Sequence, residues 1–205
     1  MRGPPLKPIY ISAINYVLGE PHPLTELSDP ALLKLASPQH GLVSYLSSDQ
    51  EIWQLAAAAG KRTIEAGPQP DLLIYVSENQ AEIAAALPLA VGRLGLGTTE
   101  YVSVAGHGCG NLGPALRVAR DALYSGQHDQ VLLILADRVL DGDRSMINGL
   151  SVLSDGAASC LGHTRGCGES GWAIQDRGVN DCDEDREQRG RSRSPGSPVD
   201  RFDGG

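Results

Sequence analysis

Cysteine is scarce in this chain: 205 residues hold only Cys109, Cys160, Cys167 and Cys182. They form neither Cys-x-x-Cys pairs nor a dense disulfide framework, so a reducing cytoplasm is the expected compartment. No apolar run reaches the roughly 18 residues that a membrane span needs, and no membrane partner is expected. The start, Met1-Arg-Gly-Pro-Pro-Leu-Lys-Pro8, leads into no uninterrupted apolar core with a cleavage site, so no secretion signal is visible. Positive charge is in deficit. A net charge of −8 argues against a nucleic-acid partner or an anionic membrane surface.

The length is enough to bury one good core, with room for an appendage. The stretch from Leu94 to Gly126 organises the rest. Tyr101 to Ala105 is short, apolar and rich in β-branched residues, which predicts a buried strand. Leu116, Val118, Ala119, Ala122 and Leu123 fall at helical spacing, and Gly126 stops that helix. Between them Gly106-His-Gly-Cys109-Gly110 forms a glycine-dense turn. Its glycines permit backbone angles closed to other residues and leave the sulfur unshielded. A thiol ahead of a helix N-terminus feels the positive end of the dipole, which favours the thiolate. The N–H groups of Gly108 and Gly110 are candidates to bind a developing oxyanion. Most free cysteines are small buried hydrophobes; the strand–turn–helix setting instead marks Cys109 as a candidate nucleophile. Pro114 has no N–H and belongs in the first helical turn, which puts the helix start near Gly113 and Cys109 just upstream of it.

Elsewhere, Ile9 to Leu18 reads as a central strand. Asp29 caps a short helix with Pro30 in its first turn. Ser48 to Glu51 opens an alanine-rich helix that includes Trp53, taken as a packing residue. Asp71 to Val76 has the continuous apolar character of a parallel strand covered on both faces. Gln80 to Arg93 is helical, with Pro88 expected to kink or divide it. Val131 to Ala136 is a further strand, followed by Asp137 and Arg138, read as a surface ion pair. Asp141-Gly-Asp143 is a turn without a metal signal. Leu150 to Leu153 and Ala157 to Leu161 are expected to pair as a hairpin across Ser154-Asp155-Gly156. Strands separated by helices imply an α/β fold with a largely parallel, doubly covered sheet. Residues 165–205, rich in Arg, Asp, Glu, Gly and Ser, read as a low-complexity, disordered tail.

The Cys109 stretch resembles the nucleophile region of β-ketoacyl-acyl-carrier-protein synthase III and its thiolase-superfamily relatives. The resemblance continues upstream through Trp53 to Gly67 and Asp71 to Ser77. Downstream it takes in Gln130 to Asp137 and Leu153-Ser-Asp-Gly-Ala-Ala158, which is similar to that family's Gly-Asp-Gly-Ala-type hairpin. It spans roughly residues 8–164, and it implies the N-terminal half of a thiolase-like fold. It further implies an acyltransferase or condensing enzyme whose cysteine takes an acyl group from an acyl-carrier protein or coenzyme A thioester, in a homodimer. No cofactor and no metal is implied. The assisting histidine and asparagine of such enzymes come from a second half with no counterpart here. The Arg-rich stretch associated with coenzyme A is also missing: Ser37 to Ser47 is nearly uncharged, which weighs against coenzyme A as donor. His107 is the histidine nearest Cys109 in sequence and a weak candidate base; with Cys109 alone it does not specify zinc. The tail is also what an altered reading frame of a GC-rich gene would encode, and a genuine short protein is the other reading. Two further functions stay open: a non-catalytic interaction module of thiolase-like fold, and another cysteine-dependent α/β hydrolase.

Overall fold

The structure is a computed structural model that describes residues 8–36, 41–140, 142–146, 151–164, 171–175 and 178–181. In chain order, β1 (Ile9–Leu18) and β2 (Glu20–Pro23) lead to the short helix α1 (Pro30–Leu33) and to β3 (Ser44–Ser47). Then come α2 (Ile52–Glu65), β4 (Leu72–Val76), α3 (Gln80–Leu94), β5 (Glu100–Val104), α4 (Leu112–Ser125) and β6 (Val131–Asp137). The remaining strands are β7 (Ser145–Met146), β8 (Ser151–Val152), β9 (Gly156–His163), β10 (Gly171–Gln175) and β11 (Gly178–Asp181).

Seven strands form one sheet in the order β11-β10-β1-β9-β6-β4-β5. β4 pairs parallel with both β5 and β6. β9 runs antiparallel between β6 and β1, so β1 points the same way as β4, β5 and β6. The expected mixed, mostly parallel sheet with covering helices is present.

β4 shows why it is central. All five of its residues are buried, and their side chains alternate between two cores. Leu73 and Tyr75 join Leu132 and Ile134 of β6 beneath α2 and α3. Leu72, Ile74 and Val76 join Val131 and Leu133 beneath α4. The α2 side is very tight: a methyl placed on Gly60 would meet Ile134 Cδ1 at 2.7 Å. Helix α2 starts with a reciprocal cap, in which Glu51 N–H donates to Gln54 Oε1 at 2.8 Å while the Glu51 side chain accepts from the Gln54 N–H.

β1 carries a bulge. Ala13 has φ of +50°, and the register to β9 shifts between Ser12 and Asn15. The carbonyl it turns inward accepts from Asn15 Nδ2 (3.0 Å) and from the buried Thr63 hydroxyl (2.9 Å), which also meets Ser159 Oγ at 2.6 Å. Beyond the bulge Val17 packs on the α2 side. Ile14, Tyr16 and Leu18 therefore lie on the opposite face, where they are 53%, 62% and 55% exposed.

Several expectations are corrected. Glu100 to Val104 is not a buried strand but the sheet edge, with Tyr101 and Val102 exposed; an apolar run does not distinguish an edge from a centre. Pro88 does not divide α3. Pro88 and Ala84, whose carbonyl loses its partner, both face water, which takes over the lost hydrogen bond. Residues 151–153 do not pair with 157–161, and Leu150 lies outside the described residues. β8 pairs with β7, and β9 enters the main sheet between β1 and β6, because Asp155 is withdrawn into an ion pair instead of capping a turn. Within the segment expected to be disordered, β10 and β11 extend the sheet beyond β1. A backbone ladder needs no apolar periodicity in the strand that joins it. The rest of 165–205 and Asp141 lie outside the described residues.

The withdrawn carboxylate is the centre of a buried network that sequence reading missed. Arg144 Nη1 and Nη2 each lie 3.1 Å from an Asp155 oxygen, a two-pronged pair with both side chains out of water. Arg144 also donates to Leu46 O, Leu153 O and Ser47 Oγ, with its guanidinium carbon 4.7 Å from the centre of the Tyr45 ring. Asp155 accepts further from the N–H groups of Ser48 and Val139, both at 2.9 Å. Burial by itself would raise the Asp155 carboxyl; the Arg144 and backbone hydrogen bonds outweigh it and hold the group below its ordinary range. Arg144→Met should therefore lower stability by about 3–5 kcal/mol, because it strands a buried charge, and urea denaturation reads this directly. The depressed carboxyl also sets the pH sign. Its contribution is full above the unfolded carboxylate value of about 3.9 and is lost as pH falls through the lower folded value, so the stability difference between wild type and Asp155→Asn should shrink in acid.

Candidate active site

The carboxyl ends of β4, β5 and β6 converge, the place where open α/β sheets present ligand contacts. β4 delivers Ser77, Glu78 and Asn79. β5 delivers the glycine turn, and β6 delivers Asp137 and Arg138. Asp137 clamps the first of these exits to the third: its Oδ1 accepts from Ser77 Oγ at 2.8 Å and from the Glu78 N–H at 2.6 Å. Burial raises the Asp137 carboxyl, and the nearby Glu78 charge adds to that, against the lowering effect of these hydrogen bonds. The expected Asp137–Arg138 ion pair is not formed. Arg138 reaches the other way, to Glu51 at 3.4 Å and to Gln50 O at 2.8 Å. Asn79 fixes the Arg138 backbone reciprocally, donating to its carbonyl and accepting from its N–H, each at 3.1 Å.

The β5 exit is a turn of 3-10 helix over Gly108–Gly110 with Cys109 in its middle. Gly106 and Gly108 have φ of +88° and +57°, the region that a glycine enters freely. The turn is tied down by Asn111, which is 4% exposed. Its Oδ1 accepts from the His107 N–H at 2.9 Å, and its Nδ2 donates to Ser77 O at 3.4 Å. Helix α4 begins at Leu112, so Cys109 sits ahead of its first turn, with Pro114 inside that turn as the sequence indicates. The Gly110 N–H donates to His107 O at 3.1 Å and is engaged within the turn. The His107 ring turns to the Ala105 carbonyl, with Nδ1 3.2 Å away.

Cys109 is exposed, and its sulfur lies 3.9 Å from Met146 Sδ. The surroundings of the sulfur run against the thiolate expected from the helix. The Glu78 carboxylate pushes the Cys109 thiol above its ordinary value, chiefly by charge, while the residue's own N–H opposes it. Sequence spacing gave no sign of Glu78, which becomes a neighbour of Cys109 only because β4 and β5 are adjacent. Asn111 was equally hidden. Among the described residues no group of three or more His, Cys, Asp or Glu could hold a metal ion, and no helix is long and apolar enough to cross a membrane.

The mixed sheet, with its cysteine turn between an edge strand and a helix, matches a thiolase-like half-fold. The solved structures that share it include 3-oxoacyl-[acyl-carrier-protein] synthase III from Aquifex aeolicus VF5, at TM-score 0.64 and 17% identity over 79% of this chain and 55% of that one. The FabH synthase of Pseudomonas aeruginosa PAO1 superposes at 0.63 and 17% identity, covering 80% and 54%. The acyltransferase ChlB3 does so at 0.65 and 21%, covering 77% and 50%. The chain thus spans about half the length of these structures, and at identities this low the likeness shows the fold alone. No family model matches the sequence, and no curated protein matches it.

The electrostatics of the turn give a measurable outcome. Alkylation of Cys109 by iodoacetamide, followed against pH by peptide mass spectrometry, should rise at higher pH than that of an unstructured cysteine peptide. Cys160, whose thiol burial pushes up to about 12, should resist the reagent in the folded protein. A Cys109 profile displaced to lower pH would contradict the assigned influence of Glu78.

Proposed function

We propose that this chain is the nucleophile-bearing half of a condensing or acyl-transfer enzyme of the ketoacyl synthase III type, with a folded unit that reaches past residue 164 to take in β10 and β11. One observation carries the reading. Cys109 stands exposed on a glycine turn between β5 and α4, at the carboxyl ends of the parallel strands, in a fold shared with ketosynthases. Cys109 acts as the acyl acceptor, attacking a thioester carbonyl to form an acyl-enzyme. The N–H groups at Gly108 and Cys109 are the ones proposed to meet the oxyanion, since that of Gly110 is engaged. The donor is an acyl-carrier protein or coenzyme A thioester, in the cytoplasm. Condensation itself needs groups that the resemblance assigns to a second half, so the activity proposed for these residues is acyl loading. His107 turns its Nδ1 to Ala105 O and is given no role in that step. A homodimer fits the free edge of β5, where Tyr101 and Val102 are exposed.

The interaction reading is favoured by a different observation. Ile14, Tyr16 and Leu18 on the sheet, with Leu112 and Val118 on α4, leave large apolar side chains uncovered on one side of the molecule. The two readings separate experimentally. Incubation with an acyl thioester should add the acyl mass to the Cys109 peptide and not to a Cys109→Ala protein; no adduct on the wild type would sink the enzyme reading. Light scattering reads the other: a stable monomer that binds no partner counts against an interaction module. Turnover of a simple thioester to free acid, lost in Cys109→Ala, would point instead to a hydrolase.

A further inference from the structure

The carboxylate beside the Cys109 turn comes from another strand and is held there by backbone. A methyl placed on Gly108 would sit 3.7 Å from Glu78 Oε1, so the carboxylate overhangs the turn that carries the thiol. Its N–H is fixed on Asp137 Oδ1. The preceding carbonyl, Ser77 O, accepts from Asn111 of the cysteine turn. The next residue, Asn79, is locked to the Arg138 backbone. Glu78 is thus anchored on both sides along the chain and once across to the turn. Among the described residues no lysine or arginine pairs with it, and the side chain is exposed. An unneutralised carboxylate next to a thiol makes a free thiolate harder to form. That placement is a poor one for a cysteine that reacts only as preformed thiolate. It suits a cysteine that loses its proton during attack.

Resting on the reading of Cys109 as acyl acceptor, we propose that Glu78 is the proton carrier of the loading step. As Cys109 Sγ forms its bond to the thioester carbonyl carbon, the Sγ proton passes to a Glu78 oxygen. When the carbon–sulfur bond of the donor breaks, that proton goes to the departing sulfur, which leaves as a thiol. One S–C bond forms and one breaks, the proton is returned, and nothing is oxidised or reduced. The transfer is concerted with attack, so carboxylate and thiolate never face each other fully charged. Two other ionisable groups near the turn have contacts of their own. Asp137 accepts from Ser77 and the Glu78 N–H, and the His107 ring is held at Ala105 O.

The test sets two reagents against each other on the full chain, as wild type, Glu78→Gln and Glu78→Asp, reading the Cys109 peptide by mass spectrometry. Iodoacetamide reports thiolate availability alone, whereas the acetyl thioester of N-acetylcysteamine also needs the proton handled. In Glu78→Gln, acetylation at neutral pH should fall about 100-fold. Alkylation should rise by more than about twofold, because the repelling charge is gone. Glu78→Asp should recover part of the acetylation. A Gln variant acetylated at the wild-type rate overturns the proposal and leaves the nucleophile reading intact. Acetylation and alkylation falling together mean a disturbed turn and overturn it as well. A wild type that alkylates but never acetylates removes both readings at once.

Discussion

The buried pair between Arg144 and Asp155 is the constraint on which the remaining architecture leans. Besides each other, the two groups meet five partners: the N–H groups of Ser48 and Val139 donate to Asp155, and Leu46 O, Ser47 Oγ and Leu153 O accept from Arg144. Taking both charges out of water is expensive unless every lone pair and proton finds a partner, and here the partners are largely backbone. The pair therefore works as a geometric lock. It draws Asp155 inward at the start of β9, so that the strand enters the main sheet antiparallel between β1 and β6 instead of folding back on residues 150–153.

A second carboxylate does for the site what Asp155 does for the sheet. Asp137 closes the β6 exit onto the β4 exit through Ser77 and the Glu78 N–H. Asn111 then carries the same connection from Ser77 to the cysteine turn. Three strand ends are thus cross-linked by short polar contacts before any ligand is present. Such a preorganised shell keeps a nucleophile and its neighbour at fixed separation, and positioning of that kind supplies much of an enzyme's advantage over solution chemistry.

Much of the fold was legible because its strongest signals are local. β4 and β6 are continuous apolar runs of strand length, α2 has Glu51 as its N-cap and alanines at close-packing positions, and Gly126 ends α4 in the left-handed conformation. What stayed hidden is non-local. β9 looked like half of a hairpin because an Asp-Gly pair signals a turn, and nothing in the sequence announces that Arg144 will claim the aspartate. The edge position of β5 depends on strand order, which periodicity does not encode. The same limit applied to the site. Cys109 stood out through its glycines, whereas Glu78 and Asn111 acquire meaning only when β4 and β5 lie side by side.

The two faces of the sheet are unequally finished. Under α2 and α3 the core is continuous from Leu55 to Leu161. On the other face α4 covers β4 and β6, and Ile9 at the start of β1 joins that core, but β1 past its bulge is bare, with Ile14, Tyr16 and Leu18 turned to water. A strand meant to be wet on one side alternates apolar with polar residues; one covered on both sides is apolar throughout. After its bulge β1 belongs to the second kind by sequence and to the first by exposure. The bulge itself sharpens the mismatch, since Ala13, Thr63 and Ser159 hold the register that sends these three residues outward. The composition of β1 past its bulge therefore matches a sheet sandwiched between two layers, whereas its exposure is that of a sheet covered on one face alone.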